Sequence, residues 1–326
     1  MILICFGTRP EWLKIKPLVN IINKSEYKIL FTGQHFDLLK DIKVDYKIDM
    51  SNSMNRLDSI ILNCMTMFPT DKFKGVLVQG DTGSAFACAL AAFNRQIPIY
   101  YLESGLRSGD LKHPYPEEGY RQMISRIADI NFAPTTLSAQ NLKNEGVFGK
   151  IHVVGNTVLD NLKKFKNGVY NKQILITLHR RENHHIMDKW FQEVENLALK
   201  YKDYRFIFPI HPNPNVIKHI DILKNVDVIN PMNHTEFINI LKDCSLVISD
   251  SGGIQEESVF FNKKVIVCRK TTERPEGINT GHLHLCSSPE KLEKLFDNLI
   301  KNCYINGECP YGDGNSAQKI KKILNV

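Results

Sequence analysis

Apolar residues in this chain come in short unbroken runs and do not alternate with polar ones. In the first half the runs fall at Ile2–Phe6, Lys28–Thr32, Gly75–Gln79, Ile97–Leu102, Ile130–Ala133 and Ile151–Val154. After Gly155-Asn156-Thr157 the pattern restarts, at Ile174–Thr177, Arg205–Pro209, Asp227–Ile229, Ser245–Ser249 and Lys264–Cys268. Continuous apolar runs of this length mark strands buried on both faces, which is the habit of parallel sheets. Most runs end in Gly, Asn, Thr or Pro and are followed by a helix-like segment. Ser84–Asn94, Ala-rich and apolar almost all round, is the clearest of these. Alternation of strand and helix through both halves predicts an α/β protein with two Rossmann-like, doubly wound parallel-sheet domains facing a cleft. The seam is expected within Asn156–Asn171, giving a first domain over residues 1–160 and a second over 161–309.

Composition narrows the classes. A chain of 326 residues with 43% hydrophobic content suits two cored domains. No apolar run approaches the roughly 20 residues that span a bilayer. The opening run leads into Gly7-Thr8-Arg9-Pro10-Glu11 without the basic start or cleavage site of a signal peptide. Eight cysteines are scattered without a CxxC pair, which reads as reduced thiols in a cytoplasmic protein and not as a zinc site. The net charge of +7 comes from Lys and Arg that are mostly dispersed, with small clusters at Lys163, Lys164 and Lys166 and at Lys319, Lys321 and Lys322. No nucleic-acid signature accompanies them, so the expected partner is a phosphate-bearing small molecule, with neither nucleic acid nor membrane involved.

Chemistry gathers where predicted strands end. Asp81 follows one run and Glu103 the next, at the carboxyl ends where doubly wound sheets bind ligands. Pro116-Glu117-Glu118 adds carboxylates at a predicted helix start, so several acids converge on one crevice. Behind the first run, Gly7-Thr8-Arg9-Pro10-Glu11-Trp12-Leu13-Lys14 offers a turn whose amides, with Arg9 and Lys14, would hold a phosphate; the other reading is a capped helix. It lacks the second glycine of GxGxxG, so a nicotinamide cofactor is not indicated. A second anion site is expected at Ser251, Gly252 and Gly253, with Ser251 as helix cap and Glu257 one turn on, placed to bridge ribose hydroxyls. His179, beside two arginines at a strand end, is a candidate for orienting a phosphate or moving a proton, and His211 sits at a similar strand end. Neither belongs to an HExxH metal motif, and no GxSxG elbow is present.

Taken together, GTRPEWLK, TGQH (Thr32–His35), QGDT, LESGLRSGD, PYPEEGYR, FAPT, GNTVLD, HRREN, SDSGGIQEES and TTERPE stand in the order found in non-hydrolysing UDP-N-acetylglucosamine 2-epimerases, which this chain resembles from residue 7 to 276. Pro310-Tyr311-Gly312-Asp313-Gly314 before a last helix fits as well. The resemblance implies a GT-B-like fold with UDP between the domains, and a C-terminal helix over 310–326 packing back on the first. It implies a homodimer that uses neither metal nor redox cofactor. It also implies C2 epimerisation by anti elimination of UDP to 2-acetamidoglucal and re-addition. Asp81, Glu103, Glu117 and His179 match the family's catalytic positions. Arg9 and Lys14 match its basic residues, and Ser251, Gly252, Gly253 and Glu257 its diphosphate and ribose contacts. Phe36-Asp37 departs from the Arg-Gln of many members, so activation by a second substrate molecule is not carried over.

The physical chemistry of these residues fits such a reaction. Departing UDP needs cations and amide dipoles, and positive charge developing at C1 is favoured by carboxylates. Inverting C2 needs proton transfer on two faces, hence at least two acid/base groups. Three alternatives remain at this stage: a hydrolysing relative releasing UDP and N-acetylmannosamine, a glycosyltransferase using a UDP-sugar donor, and a catalytically silent UDP-sugar sensor.

Overall fold

A computed structural model describes residues 1–34, 42–48, 55–165 and 168–326. By compactness these divide into two units, Met1–Lys163 with Tyr311–Val326, and Lys164–Pro310.

In the first unit β1 (Ile2–Phe6), β2 (Tyr27–Phe31), β3 (Tyr46–Lys47), β4 (Gly75–Gln79), β5 (Ile99–Leu102), β6 (Ile130–Ala133) and β7 (Lys150–Val153) form a sheet in the order β3-β2-β1-β4-β5-β6-β7. All its pairings are parallel. Helices α1 (Arg9–Val19), α2 (Arg56–Thr66), α3 (Gly83–Asn94), α4 (Glu117–Ile127) and α5 (Thr136–Asn144) alternate with the strands. Every residue of β1 and β4 is buried, as strands covered on both faces must be. Ala85, Ala87, Ala89, Ala91 and Ala92 are buried on α3, where small side chains let the helix lie close to its neighbours.

The second unit repeats the plan. It consists of β8 (Gln173–Thr177), α6 (Met187–Lys200), β9 (Arg205–Pro209), α7 (Pro214–Ile217), β10 (Asp227–Ile229), α8 (His234–Asp243), β11 (Leu246–Ser249), α9 (Gly252–Phe260), β12 (Val265–Val267), α10 (Glu276–Asn279), β13 (Leu283–Leu285) and α11 (Leu292–Ile300). Its parallel sheet runs β10-β9-β8-β11-β12-β13. The closing helix, α12 (Ser316–Leu324), belongs to the first unit, where Ala317 and Ile320 join a core containing Ile4, Ile15 and Leu18.

Two doubly wound parallel sheets are what the apolar runs imply. The runs do not reveal β3 or β13, edge strands of two and three residues that are too short to register as runs. Within each sheet the strand order reverses once, between β1 and β4 and between β8 and β11. Connections diverge at such a reversal, which leaves room for a ligand at the carboxyl ends. None of the eight cysteines is joined in a disulfide, and Cys64 and Cys88 approach to 4.0 Å between sulfurs in the core of the first unit. Among the described residues no helix is long and apolar enough to cross a membrane.

The turn after β5 depends on a glycine. Gly105 has φ +90°, and a Cβ there would lie 2.2 Å from the Ser138 carbonyl oxygen. We predict that Gly105→Ala destabilises the first unit by about 2–3 kcal/mol, read as a lower urea midpoint; an unchanged midpoint would contradict this packing.

Candidate active site

In the first unit the strand order reverses between the turn after β1 and the turn after β4, and a buried carboxylate ties the two together. Glu11 accepts the backbone N–H of Gly7 at 2.8 Å and of Thr8 at 2.6 Å, and the Thr82 hydroxyl at 2.6 Å. The Thr8 hydroxyl oxygen in turn accepts the Glu11 N–H at 3.4 Å, completing a capping box at the start of α1. Burial raises the Glu11 pKa, against the lowering effect of these donors. The phosphate cradle expected from this turn is therefore not available: its Gly7 and Thr8 amides are taken by an internal carboxylate. Arg9, beside them, is exposed.

Asp81 and Glu103 each stand opposite a cation. The guanidinium of Arg121, on α4, donates to Asp81 through Nε at 2.8 Å and through Nη2 at 2.5 Å. Arg121 also donates to Glu118 at 3.1 Å, and Glu118 accepts the Ser108 N–H at 3.0 Å. Glu103 directly follows β5 with φ +61°, a conformation that costs a non-glycine residue about 1–2 kcal/mol. Its carboxylate accepts from Lys14 Nζ at 2.6 Å, Gln79 Nε2 at 2.5 Å and Asn156 Nδ2 at 3.0 Å. Lys14, expected to face a phosphate, thus pairs with an expected acid. The Asp81 side chain is 29% accessible and that of Glu103 only 7%. Glu117, the first residue of α4, differs from both: its Oε2 is buried and has no hydrogen-bond partner among the described residues. A buried acceptor left unpaired costs about 1–3 kcal/mol, and native structures tolerate few of them.

In the second unit Asp250, fully buried after β11, plays the tying role. It accepts the His179 N–H at 3.0 Å, the Arg180 N–H at 2.9 Å and Asn183 Nδ2 at 3.0 Å. This fixes the turn after β8 to the turn after β11. The His179 ring stacks on that of His211, with centroids 4.8 Å apart and planes within 13°. Burial lowers the His179 pKa, with Asp250 pulling the other way and His211 and Arg180 adding to the drop. Burial likewise lowers that of His211. Both rings are neutral at pH 7.

Ser251 occupies the cap position of α9, but its hydroxyl makes no capping bond among the described residues, contrary to the sequence reading. Its own N–H donates to Ser249 Oγ at 3.0 Å. The helix therefore opens without a capping bond from Ser251 among the described residues. The two glycines serve different ends. A Cβ on Gly252 would meet Arg274 Nη1 at 2.7 Å, whereas Gly253 has nothing within 4 Å and leaves open space. Arg274 bonds Glu256 at 2.7 Å and pairs with Glu273, and Thr272 bonds Gln255 at 2.8 Å, so the TTERPE segment clamps α9 from the side. Glu257 faces His234 Nε2 at 2.8 Å.

Sequence reasoning missed Glu11, Arg121, Asn156, Asp250 and Arg274 as parts of this machinery, although each lies inside or beside a motif it quotes. Their partners come from other elements, and one chain read alone does not pair them. His35, Phe36, Asp37 and Lys166 lie outside the described residues. No group of three or more His, Cys, Asp or Glu is arranged to hold a metal among the described residues.

Two doubly wound units carrying these turns define a nucleotide-sugar enzyme class, and the comparisons agree. The family model for UDP-N-acetylglucosamine 2-epimerase matches residues 20–325. A UDP-N-acetylglucosamine 2-epimerase of Campylobacter jejuni is 37% identical, over 99% of this chain and 97% of its own. The crystal structure of the Neisseria meningitidis 2-epimerase bound to UDP-GlcNAc superposes with a TM-score of 0.88 at 34% identity, covering 99% of both chains. That of the Methanocaldococcus jannaschii enzyme with UDP-GlcNAc and UDP gives 0.84 at 30% identity, again over 99% of both. This chain belongs to the UDP-N-acetylglucosamine 2-epimerase family.

The stacked histidines set a pH dependence. Unfolded histidine titrates near 6.5 and the folded values lie lower, so on acidification the unfolded chain takes up these protons first. Stability of the second unit should fall as pH drops below about 6.5 and on through the folded values. We expect its urea midpoint to decrease between about pH 7 and about pH 5, and the decrease to shrink when both histidines become glutamine. A midpoint that rises in acid would contradict the assignment.

Proposed function

We propose that this protein interconverts UDP-N-acetylglucosamine and UDP-N-acetylmannosamine, or a closely related UDP-HexNAc pair, by inverting C2 without net hydrolysis. A base removes the C2 proton while the C1–O bond breaks. The C2–H electron pair becomes the C1=C2 bond of 2-acetamidoglucal, and UDP leaves with the C1–O pair. UDP then re-adds at C1, and a proton arrives on the opposite face of C2.

The observation that carries the role assignment is the contrast among three acids. Among the described residues Glu117 has a buried oxygen without a donor, whereas Asp81 and Glu103 are each held by a cation. A group that must exchange a proton with a ligand is best left without an internal partner. Glu117 therefore exchanges the proton on one face of C2. Asp81, more accessible than Glu103 and with both of these Arg121 bonds falling on Oδ2, serves the second face without leaving that pair. Glu103, held by Lys14, acts as a fixed negative charge favouring the positive charge that develops at C1. Neutral His179, its ring stacked on that of His211, donates a hydrogen bond to the departing diphosphate. Arg9 and the amides of Ser251, Gly252 and Gly253 hold that diphosphate, with Glu257 on the ribose hydroxyls. HRREN, PEE and TTERPE, found together, favour re-addition of UDP over addition of water. On the same resemblance the enzyme is a cytoplasmic homodimer; a monomeric mass by light scattering contradicts that part.

Proton NMR of products from UDP-HexNAc substrates in deuterated water tests the reading. Epimer carrying deuterium at C2, with free UDP remaining minor, is the expected result, and free UDP rising in proportion to turnover overturns it. Glu117→Gln should lower C2 exchange by roughly 10²–10⁴-fold while leaving UDP affinity unchanged.

A further inference from the structure

GNTVLD and the asparagine after it have no part in the chemistry above, yet they touch both sides of the Lys14–Glu103 pair. Asn156 is almost fully buried, and its side chain faces two ways. Nδ2 donates to Glu103 Oε1 at 3.0 Å, while Oδ1 accepts the Val158 N–H at 3.1 Å and caps the 3₁₀ turn Thr157–Asn161. At the other end of that turn Asn161 Nδ2 donates to the Leu13 carbonyl at 2.7 Å. The reason lies in α1. The helical partner of that carbonyl would be the N–H of residue 17, which is proline and has none. Asn161 satisfies the freed carbonyl, and the residue after Leu13 is Lys14.

The bracket has a third arm. Asp160 accepts the N–H of Ser316 at 3.0 Å and of Ala317 at 2.7 Å, holding the first turn of α12. The Asn156 N–H donates to the Tyr311 carbonyl at 2.7 Å. Gly155 and Gly312 meet back to back: a Cβ on Gly312 would lie 3.0 Å from Gly155 Cα.

We infer that residues 156–161 form a positioning bracket for the Lys14–Glu103 pair, with Asn156 as its working residue and the C-terminal segment as its support. The inference rests on the role proposed above for Glu103. Glu103 sits in a left-handed conformation that its own chain disfavours, so its carboxylate is placed by its donors. The Asn156 amide aims one carboxylate oxygen, and Asn161 anchors the backbone that presents Lys14.

Substitutions at Asn156 separate capping from positioning. Asn156→Ser keeps an oxygen for the Val158 N–H but loses the donor to Glu103; Asn156→Asp keeps the shape and sets an acid against an acid. The expected result is a kcat lower by roughly tenfold to a hundredfold for Asn156→Ser, with UDP affinity and Tm near those of the unmodified protein, and a kcat lower still for Asn156→Asp, whose buried acid against acid also lowers Tm. A folded Asn156→Ser variant with unchanged kcat overturns the inference. Asn161→Ala should lower kcat in the same direction, and less so when combined with Pro17→Ala, which gives Leu13 back its helical partner. If the unmodified protein exchanges no C2 hydrogen, it is the functional reading that has failed. The bracket is then judged from a crystal structure of Asn156→Asp: Glu103 turned away from Lys14 supports it, and an unmoved pair refutes it.

Discussion

A carboxylate taken out of water must find donors, and the first unit is organised around that requirement. Glu11, Asp81, Glu103 and Glu118 all lie near the carboxyl ends of its strands, and each is met by amides, a hydroxyl, an amide side chain or a cation from a different element. The bonds that compensate these charges also fix the geometry. Arg121 ties α4 to the turn after β4, Lys14 ties α1 to the end of β5, and Glu11 ties the two central turns to each other. Against that background Glu117 Oε2 is a buried carboxylate oxygen of this unit without a hydrogen-bond partner among the described residues, and on the proposed reading the sugar is what it meets.

The second unit solves the same problem with a single buried acid. Asp250 takes the amides of His179 and Arg180 much as Glu11 takes those of Gly7 and Thr8. In both sheets the amides just after the first strand are thus spent internally. The first turn of α9 is not capped by the Ser251 side chain among the described residues, and on the proposed reading its amides meet the diphosphate. Arg274 passes close to Gly252, and its bond to Glu256 braces the helix that carries those donors. On the reading proposed above, the C2 carboxylates belong to the first unit and the amides that hold the departing diphosphate to the second.

Much of this was legible in the residues. Unbroken apolar runs gave the parallel sheets, and Asp81 and Glu103 were visible because each follows such a run directly. The ordered motifs pointed to the family before any geometry was known. What the chain did not disclose was pairing. Arg121 reads as the end of PEEGYR, not as the partner of an acid 40 residues earlier. Asn156 and Asn161 find their partners 53 and 148 residues away. The capping role expected of Ser251 and the phosphate role expected of the Gly7–Thr8 amides were both sound local inferences. Each was overridden by a contact that local reasoning cannot see, Ser249 in the first case and Glu11 in the second.

The central claim is that Glu117 is the acid left free to meet C2 of the sugar, while Asp81 and Glu103 remain with their cations. A crystal structure of the Glu117→Gln variant with UDP-N-acetylglucosamine bound tests it most directly. The account predicts the side chain at position 117 within about 3.5 Å of C2, with the Arg121–Asp81 and Lys14–Glu103 pairs intact. A complex in which that side chain points away from the sugar, and Glu103 has left Lys14 to approach C2 instead, would contradict it.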